Sequence, residues 1–171
     1  GANNTAVGKS ALENNTTGEN NVAVGVSALD AVTGGSNNIG IGKDAGGAIT
    51  TGAHNIAIGK DAGDAITTGS YNVVVGKGAL TDNTTTSGNT ALGYIALKEN
   101  TADNNTAVGR ETMKANTTGA ANVAVGKATM EANTTGGQQT ALGYEALKTC
   151  TTGENNTAVG AYALNAVDAD N

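Results

Sequence analysis

The chain has 171 residues and a formal charge of −6, with 26 Gly, four Tyr and no Pro, Phe or Trp. That charge disfavours nucleic acid as a partner and leaves no basic face for an anionic membrane. No apolar run approaches the roughly 18 residues of a membrane helix, and a single cysteine, Cys150, excludes an internal disulfide framework.

Low hydrophobicity alone would fit a disordered chain. Strict self-similarity argues otherwise. The stretch NNTAVGKSALENNTTGE (3–19) returns immediately as NNVAVGVSALDAVTGGS (20–36). The glycine after the aliphatic residue recurs at Gly8, Gly25, Gly42, Gly59, Gly76, Gly93, Gly109, Gly126, Gly143 and Gly160. The spacing is 17 throughout, except for 16 between Gly93 and Gly109. Ten repeats therefore fill 1–171 as one domain, with no linker. The chain opens on Gly1 rather than Met, which reads as a piece of a longer fibre.

Within each repeat the elements follow in a fixed order. First comes an Asn column: Asn4, Asn21, Asn38, Asn55, Asn72, Asn89, Asn105, Asn122 and Asn156, with Gln139 as the exception. An amide both donates and accepts, so a stack of them can satisfy itself when buried. The plainer reading is a solvated turn, because Asn tolerates left-handed backbone. Next, N-[TVI]-A-[VIL]-G alternates and is β-branched, which predicts a short strand. The glycine column points to a positive φ or a close backbone approach. A second short extended piece ending in "AL" is expected after it, and the "NTTG" stretch has turn chemistry.

Two strands and two bends in 17 residues cannot build a helical solenoid. They predict an all-β fold, a parallel β-solenoid whose coils stack like on like. Ten coils at about 4.8 Å each make a rod of roughly 48 Å.

Along the chain, the exchanges behave like those of a filled core. In repeats three and four, Leu becomes Gly46 and Gly63 while Ile49 and Ile66 appear three residues later. In repeats seven and eight, Thr112 and Thr129 replace Ala while Met113 and Met130 replace Leu. Lost volume returns nearby, and adaptable Met follows bulkier Thr. Between Thr81 and Asn105 the turns depart from the repeat, so register should persist while the loops differ. Cys150 stands in a column of Asn, Val and Ile and reads as a small buried hydrophobe.

The alanine column sets the assembly expectation. Thr5 and Val7 point one way along their strand and Ala6 the other. Two faces without charge imply that both are buried: one within the coil, the Ala flank against sister copies. This predicts a homotrimer about a common axis.

No catalytic constellation stands out, so the chain is read as a non-enzyme. His54 reads as a surface variant, no Cys/His spacing suits a metal, and no Gly-rich stretch ends in a P-loop Lys-Ser/Thr. Asp44 and Asp61 lie one coil apart beside Lys43, Lys60 and Lys77 and read as an exposed charge ladder. No cofactor is implied. The N-x-T sequons, such as Asn14-Asn15-Thr16, are explained by turns and ladders.

The stretches NTALGYIAL (89–97), TALGYEAL (140–147) and NNTAVGKSAL (3–12) resemble the repeats of bacterial and phage tail-fibre-type proteins. They are also similar to the "AIG" repeats in the heads of trimeric autotransporter adhesins. That resemblance implies a left-handed β-roll in an intertwined homotrimer, although the adhesin repeats are shorter. It implies an extracellular structural or adhesive segment of a virion fibre or bacterial surface. Such a segment presents a receptor- or glycan-binding region, with contacts expected at Tyr94, Tyr144 and Tyr162. The alternative is an ice-binding solenoid using the column Thr16, Thr33, Thr50, Thr67, Thr84, Thr101, Thr117, Thr134 and Thr151, which Asp168 ends.

Overall fold

The computed structural model describes residues 1–166 and is a parallel β-solenoid. Each coil contributes one three-residue strand at the predicted place. These are β1 Thr5–Val7, β2 Val22–Val24, β3 Ile39–Ile41, β4 Ile56–Ile58 and β5 Val73–Val75. They continue as β6 Thr90–Leu92, β7 Thr106–Val108, β8 Val123–Val125, β9 Thr140–Leu142 and β10 Thr157–Val159. All belong to one parallel sheet ordered β1 to β10, with like residues in register, as in Ala6 opposite Ala23 and Val7 opposite Val24. Asp168, where the threonine column ends, lies outside the described residues.

Hydrogen bonds climb the rod on the other sides of the coil as well. Ser27 N–H reaches Lys9 O at 2.9 Å, Leu12 N–H reaches Ala28 O at 3.1 Å and Thr16 N–H reaches Thr33 O at 3.1 Å. Nearly every level of each coil is thus tied to the next, which satisfies the backbone without helices.

The segment ending in "AL" is not a second strand. It is a turn in which two alternate residues adopt left-handed backbone, for example Ser10 (φ 57°) and Leu12 (φ 52°). A bulky residue there is strained, at a cost on the order of 1–2 kcal/mol. The compensation is burial. Leu29, Leu80, Leu97, Met113, Met130 and Leu147 at this level are fully buried, each worth about 1.5–3 kcal/mol. Gly46 and Gly63 take the same level with φ of 59° and 57°. A Cβ on either would lie 2.9 Å from Ile49 Cδ1 or Ile66 Cδ1. The isoleucines therefore fill the space the missing leucines leave.

The sequence pattern alone assigned the strand faces the wrong way round. Ala23, Ala57, Ala91, Ala107, Ala124 and Ala141 are buried inside their own coil, facing the inward leucines. The Thr/Val/Ile and Val/Ile/Leu columns on either side of them point outward. The reason is space. A Cβ added at Gly40, in the alanine column, would already meet Leu29 Cγ at 2.7 Å and Ala45 O at 2.9 Å. A coil this narrow admits a methyl opposite the leucine and nothing branched beyond the single Val74.

Register survives the 16-residue coil, since Val75 pairs Leu92 and Leu92 pairs Val108 in unbroken sequence. The loops do differ there. Threonine hydroxyls donate up the rod from Thr67 to Thr84 O and from Thr101 to Thr117 O. Among the described residues no such bond joins Thr84 to Thr101.

Candidate functional site

The asparagine column is buried from Asn21 to Asn156, with Asn4 half-exposed at the first coil. Its bonding is to backbone more than to neighbouring amides. Asn72 shows the pattern: its Oδ1 accepts the backbone N–H of Asn89 at 3.0 Å, and its Nδ2 donates to Thr86 O at 3.0 Å. The oxygen-to-backbone link repeats from Asn4 to Gln139. Amide-to-amide bonds join Asn55 to Asn38 at 3.2 Å and Asn72 to Asn55 at 3.1 Å. The column is a clamp holding each turn to the next.

A second amide row faces the first. Asn133 Nδ2 donates to Asn116 Oδ1 and Asn116 Nδ2 to Asn100 Oδ1, both at 2.7 Å. In the shortened coil Asn100 Nδ2 turns to Ala102 O, and Asn83 Oδ1 below it has no protein partner. Gln139 links the rows, donating to Asn133 Oδ1 at 3.0 Å and sitting 3.6 Å from Cys150 Sγ. Gln139 and Cys150 thus form one exchange, a longer amide against a smaller neighbour. The buried state of Cys150 agrees with its sequence reading.

The glycine column has φ between 124° and 142°. A Cβ on Gly25 or Gly126 would lie 2.5 Å from the carbonyl oxygen of the glycine one coil on. Both proposed reasons for glycine therefore hold, conformation and close approach.

The outward face of the sheet carries exposed aliphatic side chains along its length. Val24, Ile41, Leu92 and Leu142 are 36–48% exposed, and Val22, Ile39, Ile56, Val73 and Val123 run beside that column. The face is rimmed on one side by a polar column containing Asn3, Asn20 and Asn37. On the other side stand Lys9, Lys43, Lys60, Lys77, Tyr94, Arg110, Lys127 and Tyr144.

Three cations of this second rim are paired within it. Asp44 contacts Lys43 at 2.8 Å, Asp61 contacts Lys60, and Glu111 contacts Arg110 at 3.0 Å. The acids thus neutralise lysines or arginine of their own coil, and exposure keeps each pair weak. Arg110 lies 5.8 Å from the centroid of Tyr94, and Lys127 lies 5.4 Å from that of Tyr144. Tyr162 meets Tyr144 edge-on at 5.2 Å. All three tyrosines are exposed, yet stacked neighbours cover ring faces of Tyr94 and Tyr144. A hydrogen bond to the Glu145 carboxylate pushes the Tyr144 phenol up to about 12 and holds the Glu145 carboxyl below its usual range.

Asp64 and Asp30 titrate above the usual carboxylate range. Desolvation is the main cause for each, reinforced at Asp64 by Asp61, Asp44 and Asp82. Among the described residues no group of three or more His, Cys, Asp or Glu is placed to hold a metal, and no helix is long and apolar enough to cross a membrane.

The threonine column lies in bends rather than on the sheet. Its hydroxyls donate to carbonyls one coil on, as in Thr16 to Thr33 O at 2.9 Å and Thr117 to Thr134 O at 2.9 Å.

Fold and site define a repeat protein of the parallel β-solenoid class. Comparison with protein-family models, curated proteins and solved structures returns no match.

Proposed function

We propose that this chain is a non-catalytic, structural and adhesive segment of an extracellular fibre, assembled as a homotrimer. Its role is to hold a receptor- or glycan-binding region away from a virion or bacterial surface. One observation carries the reading: an unbroken outward face of Val, Ile, Leu and Thr runs the length of the sheet. Contiguous apolar faces of this kind are partner surfaces. A centre without charge, rimmed by amides on one side and lysines on the other, has the anatomy of a protein interface. The occupants are sister copies, because the face repeats with the coil and an identical rod matches it along its full length. The count of three rests on the resemblance to trimeric fibre repeats.

The partner-facing surface is therefore the β-branched one, while the alanines serve the coil itself. Every rung is bonded to the next, which suits a stiff shaft. The native mass tests this reading. Sedimentation equilibrium should give about three times the 16.6 kDa chain mass. A single-chain mass would refute it. Ice binding through the threonine column is disfavoured by its bends and engaged hydroxyls, and a thermal-hysteresis measurement on the same sample checks this.

A further inference from the structure

We propose that the rim of the sheet around Tyr71 is a docking site for a neutral hexose ring of a glycan. The adhesive reading above supplies its biological setting; the geometry stands apart from the oligomeric state. The polar rim column runs His54, Tyr71, Gly88, Asn104 on four successive coils, all with left-handed backbone at φ 59° to 72°. The His54 and Tyr71 rings stack at 5.0 Å with only 3° between their planes. The His54 imidazole thus lies parallel to one face of the Tyr71 ring. The next level up is Gly88, which has no side chain to lay over the second face. Tyr71 is the most exposed of the four tyrosines, at 64%.

Polar groups stand above this bare level. Asn104 bends its carboxamide toward it, for a Cβ built on Gly88 would lie 2.5 Å from Asn104 Oδ1. Asp103 belongs to the shortened loop. One of its carboxylate oxygens accepts the Ser87 N–H at 2.7 Å, and the side chain is exposed. Three departures from the repeat thus meet at one place: an aromatic residue, a glycine above it and a one-residue deletion.

The chemistry fits a pyranose. Its C–H face carries small positive charge and suits the negative face of a phenol ring. Its hydroxyls both donate and accept, matching an amide and a carboxylate. No Lys or Arg stands in this column, and Asp103 repels an acidic sugar. Tyr94 and Tyr144 make poorer platforms, because Arg110 and Lys127 already lie over their rings.

The test uses the whole chain, with methyl β-galactoside, methyl α-glucoside and methyl N-acetylglucosaminide as neutral probes and a methyl sialoside as the acidic one. Saturation-transfer NMR and titration read binding, and native mass is recorded on every sample. Tyr71→Asn and Gly88→Asn both install the residue commonest in this column, and the new Cβ at 88 displaces only the end of the Asn104 side chain, so the fold is retained. Gly88→Asn covers the ring without removing it. At least one neutral probe should bind the wild-type chain, both variants should weaken it by about tenfold or more, and Tyr94→Lys should leave it unchanged. Absence of neutral-probe binding, binding of the sialoside alone, or undiminished binding in both variants overturns the proposal. A trimer that binds no neutral probe sinks the site alone; a single-chain particle that binds one sinks only the assembly.

Discussion

Asn72→Ala isolates what the asparagine clamp contributes. Asn72 is fully buried, and its removal orphans two groups: the backbone N–H of Asn89 and the carbonyl of Thr86. Asn55 Oδ1 keeps a partner, because it also accepts the Asn72 backbone N–H at 3.0 Å. Each orphaned group costs about 1–3 kcal/mol, so the expected loss is about 2–6 kcal/mol. Asn4→Ala is the internal control. Asn4 makes the same two bonds, to the Asn21 N–H at 2.8 Å and Gly18 O at 2.9 Å, but sits half-exposed at the first coil, where water replaces them. Denaturant unfolding at fixed protein concentration compares the two variants with wild type. Equal effects from Asn4→Ala and Asn72→Ala, or a loss at Asn72 under about 0.5 kcal/mol, would refute the clamp.

Three further outcomes are expected. Gly126→Ala should lose about 3 kcal/mol or more, since φ 136° suits glycine and the new Cβ would press on Gly143 O; thermal unfolding within a degree or two of wild type would contradict this. Val24→Glu combined with Ile58→Glu should reduce the native mass to one chain while leaving the far-UV spectrum of the solenoid intact, and a mass unchanged would remove the outward face from the interface. Asp64→Asn should raise the unfolding midpoint near pH 7. The raised folded pKa means the native state binds the extra proton, so this carboxyl's contribution falls as pH rises through that window. Below the ordinary value of 3.8 the two proteins should match, and a difference that persists there would argue against desolvation as the cause.

Much of the molecule was legible because a solenoid repeats its physics. Every strand was placed by the alternating N-[TVI]-A-[VIL]-G segment, and the shortened coil marked where the loops would change. The exchanges at Gly46 with Ile49 and Gly63 with Ile66 mark a shared core in the sequence itself. The second amide row was less visible. Asn83, Asn100, Asn116 and Asn133 share a column with Val32, Ile49, Ile66 and Cys150, so composition there gave no single chemistry. The aromatic site at Tyr71 was hidden for another reason: its partners, Gly88 and Asn104, lie 17 and 33 residues away and meet it only through stacking.

The sequence by itself determined the period, the strand positions and which residues share a ladder, because each is a matter of spacing along one chain. It did not determine which side of the strand faces inward. Alternation makes Ala6 oppose Thr5 and Val7 without saying where the coil closes. Closure is set by the left-handed turn residues and the glycine after each strand, which bring a leucine of the facing wall so close that only a methyl fits opposite. That narrowness put alanine inside and turned the larger aliphatic side chains toward whatever lies beside the rod.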